Sequence, residues 1–341
     1  MTDVATPSAT NIVVSGRYQL VEPLGSGGTG SVYRARDTVL GRDVAIKIFR
    51  ADAMVAHDLV RQEREIRMLS QLTHPGLINV YDAGRHQFDG SLRRYIVMEL
   101  VSHDSLEDRM ASGPLEPYEV AAIGAQIAGA LAYVHSHGVV HRDVKPANIL
   151  LSDVASGGFR RSAKLGDFGI AHYLDGNRLT SDGTILGTAA YLSPEQVEGK
   201  EVDTASDVYS LGLAMLEALT AVQEFPGSVI ESAVARVNRD PSIPDTLSDE
   251  WRQLLGAMTS RTPSERPTAH EVAMLLHGSP PAELTGGSRR AARSKKDRAH
   301  RKASFAELRR RQRRNTVMWI LGGVIIASGF VGSFLLGSIL L

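Results

Sequence analysis

The chain has 341 residues, 43% of them hydrophobic, which is room for one large two-lobed domain with appendages or for two ordinary domains. It contains no cysteine, which excludes a disulfide framework, a thiolate metal site and a cysteine nucleophile, and nothing points to an oxidising compartment. The net charge of zero conceals an asymmetry: residues 289–314 hold thirteen Lys or Arg against only Asp297 and Glu307, so the rest is equally acidic and the two parts need different partners.

Residues 1–16 are small and polar, lack the basic-then-apolar build of a secretory signal, and read as a flexible N-terminus. Apolar alternation then predicts strands over Tyr18 to Leu24, Gly30 to Ala35, Val44 to Phe49 and Tyr95 to Leu100. Between the first two lies Leu24-Gly25-Ser26-Gly27-Gly28-Thr29-Gly30-Ser31-Val32, whose glycines at 25, 27 and 30 would let backbone N–H groups close over phosphates. That spacing alone is weak, since a dinucleotide-binding turn uses a similar triplet. The next element distinguishes the two: residues 31–35 continue as a strand and Val44-Ala45-Ile46-Lys47 forms another, where a dinucleotide site would open a helix.

A helical run over Leu59 to Leu72 carries Glu63 and Glu65, and longer helices are predicted over Glu119 to His137 and Asp207 to Ala221. A strand-rich part is thus followed by a helix-rich part. Within the latter stand His141-Arg142-Asp143-Val144-Lys145-Pro146-Ala147-Asn148, then Asp167-Phe168-Gly169, then Gly187-Thr188-Ala189-Ala190-Tyr191-Leu192-Ser193-Pro194-Glu195. His135 and His137 offer no metal-site geometry.

Residues 278–316 lack sustained apolar periodicity and read as a basic, disordered juxtamembrane linker. Residues 317–341 hold no charge over twenty-five positions, which as a helix is roughly 37 Å, enough to cross a bilayer. The basic flank would face the cytosol by the positive-inside rule, giving a single-pass cell-membrane protein with its catalytic part cytoplasmic. With Phe305 its one aromatic, the basic run fits anionic lipid better than nucleic acid, and no nucleic-acid partner is expected. Gly329, Ser333 and Gly337 share one face of this helix and would permit close pairing.

From Arg17 to about His277 the sequence resembles the protein kinase family, most nearly its bacterial receptor-type Ser/Thr members. The resemblance implies an α+β, two-lobed protein kinase fold over residues 17–277, with a small β-rich N-lobe and a larger helical C-lobe, to which the apolar stretch over 317–341 would add one C-terminal transmembrane helix. It implies a Ser/Thr protein kinase that uses ATP and Mg²⁺, or Mn²⁺ in its place, on protein substrates including itself.

Roles follow by motif position. Leu24 to Gly30, with Gly28 and Thr29 at the tip, would cover the phosphates; Lys47 would hold the α- and β-phosphates and be oriented by Glu65, with Glu63 as the alternative. Val32, Ala45 and Leu150 would sandwich adenine, Met98 would be gatekeeper, and the backbone from Glu99 to Val101 would bond the base edge. Asp143 would be the catalytic base and Lys145 would meet the γ-phosphate. Asn148 and Asp167 would bind the metal. His141, Phe168 and Leu69 would form a packed column, Asp207 would hold the catalytic-loop backbone, and Glu195 would pair with Arg266. Thr180, Thr184 and Ser181 are the expected activating phosphorylation sites, whereas Thr188 would bond Asp143 and Lys145. Arg17, Leu40 and Asp82 stand where such kinases place an N-lobe homodimer interface. Two rivals are a catalytically silent scaffold and a kinase of small-molecule hydroxyls. Neither is favoured by a chain that keeps Lys47, Asp143, Asn148 and Asp167 beside a full activation segment.

Overall fold

A computed structural model of the chain describes residues 12–27, 30–50, 71–101, 104–153, 161–167 and 189–277. Six strands, β1 (Val13–Val14), β2 (Tyr18–Gly27), β3 (Gly30–Asp37), β4 (Arg42–Phe49), β5 (Val80–Phe88) and β6 (Ser91–Met98), form one antiparallel sheet in the order β1-β2-β3-β4-β6-β5. Alternation along β4 divides its side chains. Val44, Ile46 and Ile48 enter the lobe's core with Val14, Tyr18, Leu20, Ala35 and Val97, so Ala45 and Lys47 point to the other face. β5 carries no apolar alternation in the sequence. It is an edge strand with the polar run Arg85-His86-Gln87, held through backbone pairing to β6.

Among the described residues seven helices follow: α1 (Leu106–Met110), α2 (Pro117–Ser136), α3 (Pro194–Val197), α4 (Thr204–Thr220), α5 (Val229–Asn238), α6 (Asp249–Met258) and α7 (Ala269–His277), with the hairpin β7 (Ile149–Asp153) and β8 (Arg161–Leu165) between α2 and α3. In α2, Val120, Ile123, Ile127, Leu131 and Val134 recur at helical spacing and pack into the large core with Leu216, Leu255, Met258 and Val272. α4 is buried on nearly every side, so its polar Ser206, Asp207 and Ser210 must find partners inside the protein. Residues 76–78 join the lobes through Ile78 N–H to Leu165 O at 3.0 Å and Leu165 N–H to Gly76 O at 2.8 Å.

Arg17 and Asp82, expected to pair across two copies, lie 3.7 Å apart within one chain. Arg17 is bidentate to Asp37 at 2.9 and 2.8 Å, and that bonding, against the cost of burial, holds the Asp37 carboxyl down at about 2. Leu40 is 59% exposed beside them. Among the described residues no helix is long and apolar enough to cross a membrane; the span expected over 317–341 lies outside them, as does the linker.

Candidate active site

Lys47 reaches the site because β4 turns that face inward, and register places it opposite Val32 on β3 and Ile96 on β6, with Ala45 opposite Met98. Its Nζ donates to Asp167 Oδ2 at 2.8 Å across 120 residues of sequence. Lys47 is buried, so its charge is screened less than a surface lysine's and the carboxylate is a strong partner for it.

The glycine turn divides by cause. A Cβ on Gly30 would lie 2.2 Å from Ile48 O, so strand packing alone requires glycine there. Gly25 and Gly27 have nothing within 4 Å of such an atom, so no described protein contact requires glycine at either position, and the expected phosphate-covering role is the reason left for it. Accordingly, Gly27→Ala should raise the KM for ATP several-fold while moving the melting midpoint by less than about 2 °C, whereas Gly30→Ala should lower that midpoint by roughly 5 °C or more. Equal effects of the two in thermal melts and ATP titrations would refute this division. Gly28 and Thr29 lie outside the described residues.

Asp143 and its neighbours are held from below. Asp207, 1% exposed on α4, accepts His141 N–H at 2.8 Å and Arg142 N–H at 2.7 Å, and His135 Nε2 lies 2.8 Å from it as a third donor. Arg142 sits at φ +67° and Asp167 at +50°, a left-handed geometry that costs a non-glycine residue about 1–3 kcal/mol and persists only where surroundings impose it. Those two amides supply that imposition at Arg142. His141 is fully buried; burial pushes its imidazole below the usual range, so it is neutral at pH 7. A neutral ring with its proton on Nε2 donates to Gly166 O at 3.1 Å and accepts Asp143 N–H on Nδ1 at 3.4 Å, tying the catalytic loop to the residue before Asp167.

Above this floor Lys145 Nζ contacts both Asp143 oxygens at 3.0 and 2.8 Å, and Asn148 Nδ2 donates to Asp143 O at 2.8 Å and Oδ2 at 2.9 Å. Because that nitrogen faces Asp143, Asn148 presents its Oδ1 to the other side, as a cation ligand must. One amide oxygen and the Asp167 carboxylate are the hard donors Mg²⁺ takes when phosphates complete its shell, so these residues fit the metal. Among the described residues no cluster of three or more His, Cys, Asp or Glu forms an all-protein metal cage.

At the hinge, Glu99 N–H donates to Asn79 O at 2.9 Å, so its carbonyl is the group it can offer a base edge. The Glu99 side chain, to which the motifs assign no role, accepts Lys164 Nζ at 2.7 and 2.8 Å and Asn79 Nδ2 at 2.9 Å. Leu150 lies on β7 opposite Lys164, below that hinge, and Val101 ends the described part of it. Sequence reasoning also missed Gln196, whose Nε2 donates to Arg142 O at 3.1 Å while its Oε1 accepts Ser193 N–H at 2.8 Å. Ser193, at the end of the Gly187-to-Glu195 stretch, is the N-cap of α3. Glu195 and Arg266 meet at 2.6 and 2.8 Å with both side chains buried. Glu65, Glu63, Leu69, Phe168 and the activation-segment residues Thr180, Ser181, Thr184 and Thr188 lie outside the described residues.

A family model described as the protein kinase domain matches residues 18–275. Serine/threonine-protein kinase PknB of Mycolicibacterium smegmatis is 40% identical over 261 residues, covering 74% of this chain and 40% of that protein. Serine/threonine-protein kinase PknL of Mycobacterium bovis is 38% identical over 263 residues, covering 74% of this chain and 63% of that protein. The alignment thus spans well under two thirds of the PknB relative's length. Among solved structures, the Mycobacterium tuberculosis PknI kinase domain superposes with a TM-score of 0.61 at 26% identity, covering 79% of this chain and 98% of that one.

Proposed function

The chain belongs to the protein kinase family, among its bacterial Ser/Thr members, and from that premise we propose that it transfers the ATP γ-phosphate to Ser and Thr hydroxyls of proteins, itself included. The observation that carries this reading is an unbroken line of contacts: Lys47 to Asp167, Gly166 N–H to Asn148 O at 2.9 Å, Asn148 to Asp143, and Asp143 to Lys145. Stretches distant in sequence place a cation, two hard oxygen donors, a carboxylate and a second cation in one row. Phosphoryl transfer needs that supply, because its demand is charge neutralisation and alignment rather than covalent chemistry.

Lys47 would hold the α- and β-phosphates, and Asn148 and Asp167 would hold a Mg²⁺ ion, which would supply charge to offset the phosphates. Asp143 accepts a hydrogen bond from the acceptor hydroxyl, directs its oxygen at the γ-phosphorus and receives its proton, while Lys145 steadies the charge growing on the γ-oxygens. Lys145 already lies against Asp143, so hydroxyl and γ-phosphate would meet at one point. The chain is further proposed to be held at the membrane by residues 317–341, its basic linker on anionic lipid and the kinase part in the cytoplasm, with homodimers formed through Arg17, Leu40 and Asp82 or through the membrane segment.

Incubation of the full chain with labelled ATP, Mg²⁺ and a protein acceptor should put label on Ser and Thr of both proteins and should fail with EDTA. Nucleotide binding without transfer would identify a scaffold, and label confined to small-molecule hydroxyls would identify the other rival. The same preparation should float with vesicles containing anionic lipid; recovery entirely in the soluble fraction would refute the anchor.

A further inference from the structure

Arg236 on α5 is fully buried, yet no catalytic-loop or nucleotide role reaches it. Its Nη2 donates to Ala190 O at 2.6 Å and to Ser232 Oγ at 3.1 Å, and its guanidinium lies 4.8 Å from the centre of the Phe225 ring. Burying a guanidinium costs several kcal/mol unless hydrogen bonds and an aromatic face repay it, so an apolar residue would be the simpler filling for this position. Burial lowers this group to about 10, which leaves it charged at neutral pH.

What the cation grips is the end of the activation segment. Ala190 and Tyr191, with Tyr209, Leu213 and Phe225, make a small apolar cluster separate from the main core. Ser210 Oγ donates to Tyr191 O at 2.7 Å, and Tyr191 OH donates to Glu217 at 2.5 Å. Ser210 and Glu217 belong to α4, which also carries Asp207, so they reference the segment to the catalytic loop. Arg236 adds a hold from a second helix. Three residues beyond Ala190, Ser193 opens α3, whose Gln196 bonds the carbonyl of Arg142, the neighbour of Asp143. Through Gln196 and α4, residues 189–191 are thereby fixed relative to the loop that carries Asp143, on the helical lobe, whereas Lys47, the glycine turn and Glu99 lie on the sheet lobe and hinge.

We infer that Arg236 is a positioning residue for the protein acceptor: through the Ala190 carbonyl it sets the platform that presents the acceptor hydroxyl to Asp143. This rests on the protein-kinase reading above. It separates acceptor binding from nucleotide binding, which a residue that merely stabilised the fold would not do. Lysine keeps the charge but loses the planar fork that reaches Ala190 O and Ser232 Oγ together.

The test takes the full chain and a Ser/Thr peptide that the unaltered protein phosphorylates. R236K should raise the KM for that peptide about tenfold, and R236M further, while the KM for ATP and acceptor-free ATP hydrolysis stay within about twofold. S232A, which keeps the cation and removes the Ser232 Oγ acceptor, should shift the peptide KM about threefold in the same direction. If R236M does not fold, R236K and S232A decide by the same criterion. An unchanged peptide KM in both, or peptide and ATP KM rising together, overturns the inference. An unaltered chain that phosphorylates no peptide at all refutes the kinase reading first, and the inference falls with it.

Discussion

Replacing Asp143 by Asn is expected to lower phosphotransfer about 10³-fold, within the 10²- to 10⁴-fold range that a positioned general base contributes. The carboxylate accepts from Lys145 and from Asn148, so it is already oriented, and its asparagine analogue keeps the shape while losing the negative charge and the capacity to take the hydroxyl proton. Its side chain is 32% exposed and the backbone beneath is held by Asp207 rather than by Asp143 itself, so the melting midpoint should move by no more than about 3 °C. ATP should bind the variant with little change, because Lys47 and Asp167 are untouched. Initial-rate measurement of phosphate transfer beside an ATP titration checks both halves. Turnover within a few-fold of the parent would remove Asp143 from the role of base.

Arg266→Met should destabilise the helical lobe by about 3–5 kcal/mol, the cost of leaving one member of a buried ion pair behind, and so lower the melting midpoint by on the order of 10 °C. Arg266 donates to both Glu195 oxygens, and also to Ser260 O at 2.7 Å, Ala205 O at 3.0 Å and Arg261 O at 3.4 Å, so its removal takes a partner from a carboxylate and three carbonyls at once. The double change Glu195→Leu with Arg266→Met should cost less than the single one, since no uncompensated charge remains. The pH dependence has a definite sign. Burial by itself would raise the Glu195 carboxyl, but the bonds from Arg266 and Ser206 outweigh it and hold the group below the ordinary glutamate range. A carboxyl lowered on folding contributes stability at neutral pH and loses it as pH falls from the ordinary range through the folded-state value, so parent and Arg266→Met melting curves should converge on acidification. Melting midpoints that differ by the same amount at pH 7 and at pH 4 would show that this pair does not govern the stability difference.

How much of the fold and site is legible in the sequence depends on whether a role is carried by consecutive residues. The strands at Val44 to Phe49 and Gly30 to Ala35 announce themselves by alternation, because one face of each must be buried, and the observed β4 and β3 extend those spans by only two residues each. The alternation at Tyr95 to Leu100 begins later than the strand itself, since over Ser91 to Arg94 the one apolar residue, Leu92, is half exposed and the backbone is held by pairing to β5. β5 escapes altogether because its hold on the sheet is likewise backbone pairing to a single neighbour, with the polar run Arg85-His86-Gln87 in place of an apolar alternation. The catalytic loop is legible because Asp143, Lys145 and Asn148 lie within one short turn, where local backbone geometry alone brings their side chains together.

By itself the sequence determined the chemistry on offer: which cations, carboxylates and amide were present, which strand face or loop each would occupy, and the family to which their order corresponds. The tertiary structure decided who meets whom. Lys47 finds Asp167 across 120 positions, Lys164 and Asn79 converge on Glu99 from different strands or loops, and His135 joins the two backbone amides on Asp207. Arg236 closes on the Ala190 carbonyl from 46 residues away. Such contacts leave no periodic trace in the chain, because a single buried polar group is satisfied by whichever partner folding delivers within about 3 Å, and that partner is set by the packing of whole helices and strands rather than by any neighbour in sequence.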